Sequence, residues 1–449
     1  MNIIIVGSGK VGFTLAQELS KLNHNITLID IREEILEDFS NILDVNCICG
    51  SGVNIDILKE AGASSAKLII ATTGNDELNI VICSLAKTLG ALNSAARIRN
   101  PEYKKEIKLL KNSLGIDRII NPEFEAAVEI SRLFALPSAN KVDAFANERV
   151  EIAEYTIDPS DLIVGKTLNQ LNLPLNILFC GAKRNDEFII PKGDFICREN
   201  DLIYLSGTLV GLNEFFKTIG HVNHKTKDIM IIGGSRMAVY LARIARKMGI
   251  SVRIIEHDYK RSLELTRLLS DCLIICGDGT DEETLLSEEL KKMDAFISLT
   301  DSDEENVLSA FYAKKQGVKK VIPKINRENY ILLTQELGIE SAVCPKLVTT
   351  DHMFRYVKAI NNTKSEAMQK YYRIAEGKAQ AVEFIVPENS TVIGIELSKL
   401  NFKKDVLIAG IVHGKEVEVP TGKSIIHSGD QALVFSRQTE LNVFDDVLA

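Results

Sequence analysis

No stretch of the chain approaches the roughly 20 consecutive apolar residues that a membrane-crossing helix requires. The first six residues run straight into a strand-like segment, without a charged leader or a cleavage site, the pattern of a cytoplasmic protein. Positive charge is not in excess either. Fifty-three basic against 61 acidic side chains give a net charge of −8, which offers no general attraction for nucleic acid or an anionic membrane surface. Any membrane association must then run through a protein partner. The eight cysteines contain no C-x-x-C pair, so structural zinc sites and thioredoxin-like redox sites lack their usual ligands. Cys47, Cys49, Cys272 and Cys276 lie in or beside apolar runs and read as small buried core residues. The seven histidines are scattered, with His221 and His224 in a polar stretch, and no metal site is expected. The P-loop pattern G-x-x-x-x-G-K-[ST] is also missing, so nucleotide hydrolysis of that kind is not indicated.

What is present is an ordinary globular composition, 45% apolar and 25% charged, in 449 residues. At about 150 residues per domain that length predicts roughly three or four folded units. The sequence repeats itself. Residues 3–30 align without a gap with 229–256, setting Gly7 on Gly233 and Asp30 on Glu256. One residue out of step, Gly50-Ser51-Gly52 matches Gly277-Asp278-Gly279, and Thr73-x-x-Asp76-Glu77-x-Asn79 matches Thr300-x-x-Asp303-Glu304-x-Asn306. Near the ends, Gly165, Pro191, Gly193 and Asp201 fall on Gly394, Pro420, Gly422 and Asp430 at one constant spacing.

Each copy divides again. Residues 1–125 and 227–346 alternate short apolar runs, such as Asn2–Val6, Asn25–Ile29 and Lys67–Ala71, with helical segments, the pattern of a doubly wound parallel α/β sheet. From Val11 to Leu22, the residues Val11, Leu15, Leu19 and Leu22 form one helical stripe that can pack on such a sheet. Residues 140–219 and 370–449 read instead as small α+β domains of short strands and turns, with strands expected near 151–157, 177–182, 188–190 and 202–206. Amphipathic segments at 122–136 and 347–360 suit helices crossing between units, and a polar linker at 219–227 separates the copies.

Gly7-Ser8-Gly9-Lys10-Val11-Gly12 fits G-x-G-x-x-G after a strand and at the opening of a helix. Gly7 can make the tight turn, Gly9 can admit a pyrophosphate, and Gly12 can let helix and strand pack closely. Asp30, at the end of the second strand, can accept hydrogen bonds from both ribose hydroxyls and would repel a 2′-phosphate, favouring NAD or an adenine nucleotide over NADP. Thr73 and Gly74 follow the strand at 68–71 on its carboxyl side, and Arg97, with Lys324 as its counterpart, can meet a phosphate. In the second copy Gly233-Gly234-Ser235-Arg236-Met237-Ala238 keeps only the first of the three glycines, and a side chain at Ser235 is expected to obstruct phosphates, although Glu256 still supplies the ribose-type acid.

These features, together with Arg97-Ile98-Arg99-Asn100-Pro101 and the Pro191-x-Gly193 turn with Asp201, resemble the RCK (KTN) regulators of potassium conductance over essentially the whole chain. The resemblance implies Rossmann units that bind NAD(H) or ATP/ADP and form a ring beneath a membrane channel subunit whose gate they control. It carries nucleotide contacts onto Gly7, Ser8, Gly9, Lys10, Val11, Asp30, Thr73, Gly74 and Arg97, with Gly233, Gly234, Ser235 and Glu256 as the second candidate set. The tandem form is similar to the peripheral subunits of Trk-type potassium uptake, which implies a TrkH/TrkG-like membrane partner and a homotetramer supplying eight ring positions. No enzyme is expected: residues 151–206 contain no histidine, and no convergent acid, base or substrate pocket accompanies the dinucleotide motif. An RCK regulator of another cation transporter, or an NAD-dependent oxidoreductase, are the alternatives.

Overall fold

The computed structural model describes the chain except residues 22–23, 101–102, 104–112, 172, 175, 222–224, 362–367 and 438–440. Leu22, Pro101 and His224 therefore lie outside the described residues, as does the middle of the expected linker.

The first sheet is wholly parallel, in the spatial order Asn46–Cys49, Asn25–Asp30, Asn2–Val6, Leu68–Ala71, Ser94–Arg97, Arg118–Ile120. Its central strands are continuous apolar runs because helices cover both faces: Ile3, Ile4, Ile5 and Val6 are all buried. The strand order reverses between Asn2–Val6 and Leu68–Ala71, and a doubly wound sheet opens its ligand crevice at that point. The second copy repeats the plan with Leu273–Cys276, Ser251–Glu256, Asp228–Ile232, Ala295–Ser298 and Lys320–Pro323. A sixth strand is reduced there to one parallel bridge, Lys324 to Val343.

Each small domain is a five-stranded antiparallel sheet. The first runs Glu187–Ile189, Ile177–Arg184, Leu202–Gly207, Val150–Thr156, Lys141–Phe145; the last of these strands lay outside the sequence expectation. The second runs Met368–Ile374, Ala379–Ile385, Gln431–Ser436, Val406–His413, Glu416–Glu418. The two sheets pack on each other through Phe145, Val150 and Tyr204 from one and Tyr372, Ala409 and Phe435 from the other. Ser206 Oγ donates to the Ala409 carbonyl at 2.8 Å across this seam.

The amphipathic segments form helices Pro122–Ala135 and Pro345–Asn361, and they cross further than the pattern required. The first packs on helix Arg236–Lys247 of the other copy, where Phe134, Ile130 and Ala126 share a core with Met237 and Leu241. The second packs on helix Lys10–Ser20, with Met353, Val357 and Ile360 against Val11, Leu15 and Leu19. The stripe read from the sequence is thus buried partly against the opposite copy.

Two expectations are corrected. Cys49 and Cys276 are exposed, because they end short strands at the outer edge of their sheets, whereas Cys83, Cys180, Cys197 and Cys344 are buried. His221 is not part of a free linker, since its ring lies 2.9 Å from Asp161 Oδ1 and 2.8 Å from Tyr155 Oη. Among the described residues no helix is long and apolar enough to cross a membrane.

Candidate functional site

The first glycine loop lies at the crevice. Gly7 has φ +98°, and a Cβ there would sit 2.8 Å from the Thr73 amide nitrogen, so glycine is needed both for the turn and for the close approach of the fourth strand's end. A Cβ on Gly12 would lie 2.0 Å from the Gly7 carbonyl oxygen, which is the close helix–strand packing expected of the third glycine. Gly9 differs: its backbone is extended, and a Cβ there would meet nothing within 4 Å. What glycine supplies at that position is room above the helix rather than an unusual conformation. No side chain caps helix Lys10–Ser20, so its first-turn N–H groups remain available to an anion. Val11 is turned into the core, which leaves its main chain to the loop, while Lys10 is exposed.

Asp30 is almost fully buried and closes the loop from the other side. Its Oδ2 accepts from the Ser8 N–H at 2.7 Å and from Ser8 Oγ at 2.6 Å. Arg32 adds two guanidinium bonds and its own N–H, each at 3.0 Å. Burial opposes ionisation of Asp30, but these bonds outweigh it and hold the carboxyl well below the usual range. Arg32 gave no signal in the sequence reading beyond standing two places after the acid.

Thr73 and Gly74 belong to a brace that explains the repeated run. Asn79 accepts from the Thr73 N–H at 2.9 Å and donates to the Arg97 carbonyl at 2.8 Å, tying the ends of the fourth and fifth strands. Asp76 accepts from the N–H groups of Arg99 and Asn100 at 2.8 and 2.9 Å. Asn306 and Asp303 repeat the same bonds to Thr300, Lys324, Asn326 and Arg327 in the second copy.

A cavity of about 750 Å³ between the copies is lined by Gly74, Arg99, Arg236, Arg243 and Arg261, and the half-buried Arg97 guanidinium lies within electrostatic range of Arg99 and Arg236. Burial lowers the Arg97 pKa and the nearby Arg99 adds to the effect. Among the described residues the buried Nε of Arg97 has no hydrogen-bond partner. Tyr240 of the second copy donates to the Arg99 carbonyl at 2.8 Å, fixing this wall to the first copy.

The second loop has the same backbone and different chemistry. Gly233 again has positive φ, and the Gly234 N–H donates to Glu256 Oε2 at 2.6 Å. Ser235 is extended like Gly9, but its hydroxyl turns back to cap the helix, accepting from the Ala238 N–H at 3.3 Å. The Ser235 hydroxyl thus occupies one N–H donor at the start of the helix. The crevice here, about 470 Å³, is lined by Glu256, Asp278, Asp301 and Glu305. The aligned positions in the first copy are Asp30, Ser51, Gly74 and Leu78, a single acid.

A doubly wound sheet followed by a small antiparallel domain, twice in one chain, is an RCK-type fold. The crystal structure of the GsuK RCK domain shares this fold with a TM-score of 0.63 at 16% identity, covering 99% of this chain and 94% of that one. The GsuK channel in a structure bound to NAD matches at the same score and identity, over 99% of this chain and 78% of that one. The TrkA-N domain family matches residues 3–122 and 229–345, and the TrkA-C domain family 152–220 and 381–449. The Trk system potassium uptake protein TrkA homolog 1 of Methanosarcina mazei is 34% identical over 97% of each chain. The Archaeoglobus fulgidus homolog is 32% identical over 100% of each, and TrkA of Vibrio alginolyticus 30% identical over 97% of this chain and 95% of its own. The chain belongs to the TrkA family; the relatives above are named as Trk system potassium uptake proteins and none as an enzyme.

Proposed function

We propose that this chain is a cytoplasmic, nucleotide-sensing subunit that controls an integral-membrane potassium channel of TrkH/TrkG type, and that it works as a homo-oligomer, a tetramer with eight Rossmann units. The observation that carries the reading is the first loop, where Gly9 leaves space above uncapped helix N–H groups beside the buried Asp30 carboxylate. Ribose hydroxyls would take the Asp30 oxygens in place of Arg32, and the phosphates of NAD(H) or ATP/ADP would lie over Gly7, Ser8, Gly9, Lys10 and Val11. Thr73 and Gly74 would border them. The second loop, with Gly233, Gly234, Ser235 and Glu256, would bind an anionic nucleotide more weakly, since four carboxylates face the crevice and Ser235 occupies a helix donor.

Regulation follows from the cavity between the copies. Phosphates at Gly74 would attract Arg97 from the first copy and Arg236 and Arg243 from the second, so a bound nucleotide would favour one relative arrangement of the two Rossmann units. A nucleotide shifts that equilibrium only by its differential affinity for the two arrangements. The test is potassium flux into proteoliposomes holding the membrane subunit, with and without this chain. Flux should respond to nucleotide only when the chain is present, and Asp30→Ala should remove the response. A response that survives Asp30→Ala, or flux indifferent to the chain, would refute the reading.

A further inference from the structure

Asp430 of the second small domain corresponds to Asp201 of the first, yet the residues facing these two aspartates have been exchanged as a group. In the first domain Asp201 is held by Arg184, at 2.7 Å from Nε and 2.6 Å from Nη2, and Arg184 stacks on the Phe195 ring at 4.9 Å. The aligned residues Arg184, Ile189, Phe195 and Arg198 become His413, Glu418, Ser424 and His427. A fixed cation on an apolar platform is replaced by two imidazoles, a second carboxylate and a hydroxyl. One histidine would suffice to replace the arginine as the partner of the aspartate; the other three changes go beyond that need.

We propose that His413, His427 and Asp430 bind a divalent transition-metal ion of the zinc class, with Glu418 orienting His413. The ligand atoms converge: His413 Nδ1 lies 2.8 Å and His427 Nδ1 3.6 Å from Asp430 Oδ2, and one atom from each of the three residues falls within 4.8 Å of the others. Metal–ligand bonds of about 2.0–2.1 Å in a tetrahedron separate neighbouring ligand atoms by roughly 3.3–3.4 Å, which these distances bracket. His413 Nε2 lies 2.9 Å from Glu418 Oε2, and Glu418 in turn accepts from Ser424 Oγ. A carboxylate on the far ring nitrogen is the arrangement that fixes a metal-binding histidine with its other nitrogen unprotonated. Asp430 is aimed by the His427 N–H, which donates to Oδ2 at 2.6 Å. The exposed His427 leaves the fourth coordination position open to water. The ion would join the hairpin ending at His413 to the turn before strand Gln431–Ser436, beside Gly414, whose carbonyl accepts from Arg149 of the first small domain. Metal binding would therefore stiffen one side of the seam between the two small domains.

The test titrates Zn2+ calorimetrically into the chelator-stripped full-length chain, with the Co2+ absorption spectrum as a second readout. One equivalent should bind, with the intense visible bands of tetrahedral Co2+. Glu418→Gln should weaken binding about 10–100-fold. His413→Arg, which rebuilds the arginine–aspartate pair of the first domain, should abolish it while leaving the circular dichroism spectrum unchanged, and His427→Ala should weaken it at least as much as Glu418→Gln. Absence of saturable Zn2+ binding by the wild type overturns the proposal. So does stoichiometric binding that survives His413→Arg, which would place the ion elsewhere, for example on the exposed Cys49 or Cys276.

Discussion

Three glycines of one motif do three different things. Gly7 and Gly12 are constrained by their neighbours, whereas Gly9 is constrained only by what approaches from outside. Gly12→Ala should therefore destabilise the fold by about 1–3 kcal/mol, the usual cost of overpacking, because its Cβ would collide with the Gly7 carbonyl; a denaturant midpoint against wild type checks it. The motif and Asp30 were legible in the sequence because their spacing is local and follows a strand. Arg32, Arg236 and Arg243 were not, since the groups that give them meaning lie in other elements or in the other copy. The histidine and glutamate exchanges around Asp430 were visible in principle, through comparison of the copies position by position, but His413 ends one strand while His427 precedes another, and no short spacing announces them.

At the scale of elements, periodicity located the helices at 122–136 and 347–360, and it could not say which partner their apolar faces meet. That partner is the other copy's first helix in both cases. Amphipathicity records only that a face is buried. Phe134, fully buried in the core that helix Pro122–Ala135 shares with helix Arg236–Lys247, puts this to the test. Phe134→Ala should cost about 3–5 kcal/mol, and the loss should appear in the unfolding of both copies rather than the first alone. Site-specific hydrogen exchange in strands Asn2–Val6 and Asp228–Ile232 reads the two copies separately. Conversely, the run from Thr73 to Asn79 was recognised as a repeated signature, while its work as a brace between strand ends emerges only from the bonds of Asp76 and Asn79.

For the whole molecule, the repeat turns one chain into a pair of RCK units that exchange helices and stack their small domains. Residues 1–221 and 225–449 produced as separate chains would each expose the faces that the other covers. Co-expressed, they should associate into one complex on size exclusion, held by the helix exchange and the seam at Phe145, Tyr372 and Phe435; independent elution would contradict the arrangement. The two copies differ, the first with an open glycine loop and the second with an acid-lined crevice. The proposed hold of the first loop and Asp30 on a nucleotide can be measured by calorimetric titration of NAD, NADH, ATP and ADP into wild type, Asp30→Ala and Glu256→Ala. Wild type should bind, Asp30→Ala should abolish binding or weaken it at least tenfold, and Glu256→Ala should largely preserve it. No binding to wild type, or an affinity untouched by Asp30→Ala, would contradict the proposed hold.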